Sequence, residues 1–459
     1  DRFGFSVSSA GDVNGDGVDD LIIGAPSADP NGFSSGSSYV VFGGGDFSIP
    51  LNLSSLDGSN GFRIDGAAES DNSGWSVSSA GDVNGDGFDD LIIGARDADP
   101  NGNNASGSSY VVFGSGSVSS GTLNLSTLNG LNGFRIDGVA ARDYSGYSVS
   151  SAGDINGDGF DDLIIGALGA DPNGSFSSSS YVVFGSEGGF SSTLNLSSLN
   201  GSNGFRMDGL AADDRSGTSV SSAGDINGDG FDDLIIGAWG ADPNGSYSGS
   251  SYVVFGSGNE FSSSLNLSSL DGSNGFRIDG VAAYDRSGYS VSSAGDINGD
   301  GIDDLIIGAW GADPNGSYSG SSYVVFGRVN QAPMIVTNSA VNVPENTTLV
   351  VDIEATDDSS SEGNGLTYGL SGGEDQGLFT IDVTTGELSF LSAPDFENPL
   401  DVGGDNGYAV EVTVTDAGGL STAQLFNINV TDVNEAPTIV TNGAVNAPEN
   451  TTLVVDIEA

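Results

Sequence analysis

The sequence contains no cysteine, no histidine and no lysine, and its ten basic residues are all arginine. Each absence excludes a chemistry. Without cysteine there is no disulfide framework and no thiolate nucleophile or ligand. Without histidine or lysine no ordinary side-chain base is present to activate a serine hydroxyl, so the Ser-rich stretches, such as 177–180, carry no nucleophile reading. Zinc is disfavoured for want of nitrogen and sulfur ligands. The ten basic residues stand against 63 acidic ones, a formal charge of −53. That balance argues against nucleic acid or an anionic lipid surface as a partner. No apolar run approaches the 18 residues of a membrane-spanning helix, and no segment sustains a 3.6-residue period. There is no initiating Met and no signal-like leader. The chain opens inside one repeat and stops inside another, so it reads as a piece of a longer protein.

What is present is repetition. The pattern D-[V/I]-N-G-D-G-[V/F/I]-D-D occurs five times, starting at Asp12, Asp82, Asp154, Asp225 and Asp296. The 20 aspartates of these loops, four to a loop, are too regular to serve only solubility. Acidic and amide side chains at positions 1, 3, 5 and 9, with Gly at 6, are what a hard cation with oxygen ligands requires. The candidate ligands are Asp12, Asn14, Asp16, the Val18 carbonyl and Asp20; Asp82, Asn84, Asp86, the Phe88 carbonyl and Asp90; Asp154, Asn156, Asp158, the Phe160 carbonyl and Asp162; Asp225, Asn227, Asp229, the Phe231 carbonyl and Asp233; and Asp296, Asn298, Asp300, the Ile302 carbonyl and Asp304. Such a set suits Ca²⁺; Mg²⁺ fits less well, because it prefers to keep its waters.

Each unit of about 71 residues holds four strand-like pieces separated by Gly/Ser/Asn turns. In the third copy they are 147–152, 163–167, 180–184 and 205–208. Four short strands per unit, repeated, describe the blades of an all-β propeller. F-R-[I/M]-D-G, the fourth strand, occurs at Phe62, Phe134, Phe205 and Phe276 but not in the fifth unit. A fourth strand for that unit is expected from sequence preceding Asp1. Near residue 330 a second repeat begins: Ala332–Ala355 recurs at Ala436–Ala459 with three substitutions. The residues between form one β-rich unit, of a length that suits an immunoglobulin-like sandwich. The expected division is 1–327, 328–435 and 436–459, the last being the opening of a further repeat.

Position 12 of every acidic loop is isoleucine (Ile23, Ile93, Ile165, Ile236, Ile307), where an EF-hand needs a bidentate carboxylate. Closure at position 9 between two strands instead resembles the FG-GAP repeat of integrin α-subunits. Its namesake residues stand at Phe3-Gly4 and Gly24-Ala25-Pro26. Later copies depart, with Ser145-Gly146 and Gly237-Ala238-Trp239. The resemblance covers 1–327. It implies a closed seven-bladed calcium-binding propeller that presents loops to a partner, without the integrin ligand site.

Residues 328–435 resemble a cadherin repeat of the bacterial cadherin-like kind. The matching pieces are Pro344-Glu345-Asn346, Ala355-Thr356-Asp357, Asp395-Phe396-Glu397, Thr415-Asp416 and the linker Asp432-Val433-Asn434-Glu435. The resemblance implies junction calcium held by Glu345, Asp395, Glu397, Asp432, Asn434 and Glu435. It implies a less favourable upper junction, where Arg328 and Gln331 replace acids. Trp75, Trp239 and Trp310 are expected to pack between blades, and Asp242–Gly245 reads as turn chemistry.

The function these features favour is that of a calcium-binding extracellular or cell-surface adhesion protein, with the propeller as ligand-presenting head and the cadherin-like repeats as stalk. Its partner would be an extracellular protein or a polysaccharide, with homophilic cadherin-like contacts as a further route. One alternative is a lectin-like module; another is the non-catalytic region of a larger secreted enzyme. Within these residues catalysis would have only Asp/Glu pairs to draw on.

Overall fold

A computed structural model describes residues 1–44, 51–116, 121–357, 361–363 and 365–436, with positions 446, 449 and 452. The repeat expected over 436–459 therefore lies almost wholly outside the described residues. The chain divides into two units, 1–329 and 330–459.

The first unit is a succession of five sheets whose successive blade strands pair antiparallel. In the third, the strands are Ser145–Gly153, Asp162–Ala167, Ser179–Val183 and Gly204–Asp208, each hydrogen-bonded to the next. These match the four expected pieces to within two residues. Asp162–Ala167 and Ser179–Val183 are buried along their whole length, because neighbouring sheets cover both faces. That is why their sequences run Leu-Ile-Ile and Tyr-Val-Val rather than alternating. In Gly204–Asp208 the flanking residues are buried and Arg206 alone is exposed.

The sheets stand side by side as blades. Successive inner strands Ser6–Gly11, Ser76–Gly81, Ser145–Gly153, Ser216–Gly224 and Ser287–Gly295 neighbour one another. Each interior seam is an apolar layer drawn from two blades. Between blades 1 and 2, Ile22, Val40 and Phe62 meet Val77, Leu91 and Tyr110. Among the described residues the fifth blade has three strands, Ser287–Gly295, Asp304–Ala309 and Ser321–Val325.

The blades also carry an element that the four-strand reading missed. Thr122–Asn124 leaves its own blade and pairs in parallel with Arg63–Asp65 on the outer edge of the preceding one. Thr193–Asn195 and Ser264–Asn266 repeat the move one and two blades on. Each ends in a short 3-10 turn capped by an asparagine: the Asn195 side chain accepts from the Ser197 amide at 3.1 Å, and Leu196 is buried beneath.

The second unit is a two-layer sandwich. Its larger sheet runs Ala340–Pro344, Ser421–Thr431, Gly407–Thr415, Thr367–Gly372. The smaller runs Leu349–Asp352, Glu387–Phe390, Phe379–Ile381. Gly407–Thr415 alternates strictly, and its inward residues Tyr408, Val410, Val412 and Val414 pack against Phe390, Phe426 and Ile428.

Candidate functional site: the acidic inter-strand loops and the Glu345 cluster

Each acidic loop joins the first strand of a blade to the second, and it is organised by its own carboxylates. In the third blade, Asp154 accepts the amides of Gly157, Asp158 and Gly159 at 2.7, 3.0 and 2.9 Å. Asn156 accepts from the Asp158 amide at 2.8 Å, and Asp158 from the Phe160 amide at 3.1 Å. Asp162 takes the Ile155 amide at 3.1 Å and the Gly185 amide at 2.8 Å, tying the loop to the end of the third strand. The same contacts recur around Asp12, Asn14, Asp16 and Asp20. They recur around Asp82, Asn84, Asp86 and Asp90. Asp225, Asn227, Asp229 and Asp233 repeat them, as do Asp296, Asn298, Asp300 and Asp304. Gly159, at position 6, has φ +89°, the left-handed turn expected of it.

Positions 1, 3 and 5 are half-exposed or exposed, whereas the position-9 aspartates Asp20, Asp90, Asp162, Asp233 and Asp304 are all buried. Burial pushes the Asp162 carboxyl up to about 8, with the charges of Asp158 and Asp154 adding to it and the Gly185 and Ile155 amides opposing. Asp90 and Asp233 are likewise raised to about 8, and Asp20 to about 6, chiefly by burial. The ion pairs among the described residues join Arg63, Arg96, Arg135, Arg206 and Arg277 to aspartates outside these loops. Each loop thus presents an oxygen-only donor set around a buried carboxylate, with no arginine to neutralise it. That is the environment a divalent cation fits. In the structure these carboxylates are turned onto loop amides.

Position 8 is a residue the sequence reading passed over. Asp161 points out of its own loop and accepts the amide of Asp82 in the preceding blade at 2.8 Å. The Asp161 amide donates back to the Asp82 carbonyl. Asp89, Asp232 and Asp303 hold Asp12, Asp154 and Asp225 in the same way. Position 7 serves the same seam: a Cβ on Gly85 (φ +74°) would lie 2.4 Å from the Phe160 ring, so that ring packs directly on the neighbouring loop. Phe88, Phe231 and Ile302 sit likewise on Gly15, Gly157 and Gly228. The signal was in the sequence, as the first aspartate of each D-D pair, but its partner lies 79 residues away.

In the second unit, Glu345, Glu397 and Glu435 each bring a carboxylate oxygen within 4.8 Å of the others; among the described residues this is the one such convergence. Glu345 is buried and accepts the Phe396 and Val433 amides, both at 2.9 Å. Asn346 donates to Glu435 at 2.6 Å. At Glu397 a backbone hydrogen bond lowers the pKa, but desolvation and the charges of Glu345, Glu435 and Asp432 together raise it. Asp395 instead caps its own turn through the Glu397 and Asn398 amides. Asn434 lies exposed in the linker. At the upper end Asn330 donates to Asp416 at 3.1 Å.

Trp75 and Trp239 pack against aromatic residues of adjacent blades, as expected, whereas Trp310 contacts Tyr289 and Tyr318 of its own blade. Trp75 contacts Phe5 and Tyr147 of the two adjacent blades, and Arg96 lies 3.3 Å over its ring. Trp239 contacts Tyr289 of the next blade, and Arg286 lies between Trp239 and Trp310 at 5.5 and 4.5 Å. Asp242–Gly245 is a turn: Asp242 accepts the Tyr247 amide and Asn244 reaches the Gly280 carbonyl.

Comparison with known proteins agrees with this organisation. The FG-GAP repeat model matches residues 3–41, 73–112, 145–183, 216–254 and 287–325, and the Cadherin domain model matches 339–431. Integrin alpha-PS5 of Drosophila melanogaster is 34% identical over 172 residues, which are 37% of this chain and 15% of the fly protein. Integrin alpha-V of Gallus gallus is 29% identical over 281 residues, 60% of this chain and 23% of that protein. A phosphatidylinositol-glycan-specific phospholipase D of Bos taurus is 31% identical over 243 residues, 48% of this chain and 27% of the enzyme. The chain thus spans about a quarter or less of these relatives. A solved structure of the protocadherin gamma B7 extracellular cadherin domains 1–4 aligns over 28% of this chain and 32% of its own, at 23% identity and a TM-score of 0.20. Among the described residues, no helix is long and apolar enough to cross a membrane. This all-β chain carries five FG-GAP repeats, like those of integrin α-subunits, followed by a cadherin domain.

Proposed function

We propose that the chain is part of an extracellular or cell-surface adhesion protein whose blade loops are fixed by Ca²⁺ and whose FG-GAP blades present the ligand-binding surface. The observation that carries this reading is the buried position-9 aspartate, which faces two like charges with no basic partner in loop after loop. Asp154, Asn156, Asp158, the Phe160 carbonyl and Asp162 would hold the ion in the third blade, and the equivalent residues in the others. Glu345, Glu397 and Glu435, with Asp432 beside them, would hold a further ion at the end of the cadherin domain. The ion neutralises carboxylates that otherwise repel, so the loops become rigid where calcium is abundant. The FG-GAP and cadherin matches and the integrin α relatives support an adhesion role.

Extracellular modules bind calcium at about 10⁻⁴–10⁻³ M. At roughly millimolar calcium each loop then adds about 0.4–1.4 kcal/mol. Chelation is therefore expected to lower the melting temperature by several degrees, and equilibrium dialysis should find at least one ion per loop. A melting curve unchanged by excess chelator would sink the reading.

One observation favours a second reading, polysaccharide binding. Trp239, Tyr289, Trp310 and Tyr318 form a contiguous aromatic row on blades 4 and 5, and Trp310 is 42% exposed. Arg286, lying within it, is absent from the ion pairs among the described residues. Glycan-array binding lost on Trp310→Ala, with melting unchanged, would support it; no binding to any glycan would dismiss it.

A further inference from the structure

A glycine after an asparagine leaves its backbone nitrogen unshielded, and that nitrogen can reach the asparagine side-chain carbonyl. Every acidic loop carries this dipeptide at positions 3 and 4: Asn14-Gly15, Asn84-Gly85, Asn156-Gly157, Asn227-Gly228 and Asn298-Gly299. The folded loop adds two groups to its chemistry. In the third blade the Gly157 amide, whose nitrogen would attack, donates its proton to the Asp154 carboxylate at 2.7 Å. The Asn156 side-chain oxygen, on which negative charge would develop, accepts the Asp158 amide at 2.8 Å. One group stands where the proton must go, the other where the charge must rest. The pair recurs in all five loops, at 2.6–2.8 Å for the carboxylate and 2.8–2.9 Å for the amide. The glycine is exposed in each, so water reaches it.

The chain supplies its own contrast. The Asp-Pro-Asn-Gly turns hold the same dipeptide at Asn31, Asn173 and Asn244. There the side-chain nitrogen is tied to a backbone carbonyl, of Gly66, Gly209 or Gly280, at 2.7–2.8 Å. The Gly245 amide turns to the Asp242 carbonyl rather than to a carboxylate.

We propose that position 3 of each acidic loop is a self-deamidation site, set up by the loop itself, and that calcium bound in the loop suppresses it. The Gly157 nitrogen bonds to the Asn156 Cγ as its proton passes to Asp154. The bond from Cγ to the side-chain nitrogen breaks, and that nitrogen leaves with the proton as ammonia. Water then opens the cyclic imide at either carbonyl, giving aspartate or isoaspartate. The sum consumes one water, releases one ammonia and involves no oxidant or reductant. Each event adds a negative charge to the loop. Isoaspartate also lengthens the backbone by a methylene, which shifts positions 5 to 9 against position 1. Protection, which rests on the calcium reading of the loops, follows because an ion held by Asp154 and Asn156 occupies the oxygens that the reaction needs.

The test incubates the folded full chain at neutral pH, in excess chelator and in calcium. Peptide mapping follows each Asn-Gly site by its NH₂-to-OH mass increment and separates isoaspartate from aspartate by retention. In chelator the five loop asparagines should convert about tenfold or more faster than Asn31, Asn173 and Asn244. Asp154→Asn should slow conversion at Asn156 alone, with the other four loops as controls in the same molecule. Calcium should slow the loops and leave the turns unchanged. Loop asparagines that convert no faster than the turn asparagines overturn the proposal, and this wild-type comparison decides even where the variant fails to fold. A folded Asp154→Asn chain whose Asn156 reacts at the wild-type rate overturns it too. Calcium that binds, by equilibrium dialysis, without slowing the loops overturns the protection, whereas no bound calcium overturns the ion reading instead.

Discussion

Asp161 works in a loop other than its own. Its carboxylate reaches the Asp82 amide of the preceding blade while the two backbones bond in return. A charged acceptor on a backbone amide in a half-buried seam contributes about 1.5–3 kcal/mol. Asp161→Ala should therefore lower the unfolding free energy by about that much, read from the denaturant midpoint. The proposed ion ligands Asp154, Asn156, Asp158 and Asp162 remain in place in this variant. Calcium stoichiometry should hold while stability falls, and a lost ion instead would place Asp161 among the ligands. The side-chain types on which the proposed cation sites rest are local, and they stand in the sequence. Which of two adjacent aspartates turns inward is not local. It depends on a loop one repeat away.

At the scale of the element, the four strands of each blade were legible from their pattern: Leu163-Ile164-Ile165 and Tyr181-Val182-Val183 are apolar on both faces because sheets cover both. The parallel edge strand was not. Thr193–Asn195 has three residues, too few to show a period of two, and its partner Arg135–Asp137 belongs to another blade. The asparagine that ends it is the feature to test. Asn195 accepts the Ser197 amide, and losing such a cap costs about 1 kcal/mol. Asn195→Ala should shift the denaturant midpoint by that amount and speed amide exchange in 193–198, whereas Asn195→Asp should restore both. The tryptophans show the same limit. The position of Trp239 and Trp310 after the second strand was visible, yet only packing brought Arg286 over both rings.

At the scale of the whole molecule, the FG-GAP blades are stabilised by apolar layers shared with their neighbours. Blade 3 is covered on both sides, and blade 5 on one. In dilute solution, amide exchange should be slowest in Asp162–Ala167 and faster in Asp304–Ala309, although the two sequences read alike. Equal protection at low protein concentration would show that the blade-5 face is covered in the isolated chain.

The sequence by itself determined the oxygen-only donor set of the loops, the strands on either side of them, the number of repeats and the change of domain near residue 330. These depend on residue type and on spacing over a few positions, which any reader of the chain can see. The tertiary structure decided which aspartate of each pair crosses a seam, which strand leaves its own blade and which three glutamates converge in the cadherin domain. Those outcomes join residues about 50 to 90 positions apart. Spacing along the chain cannot specify them, because the partner is chosen by how one folded surface fits the next.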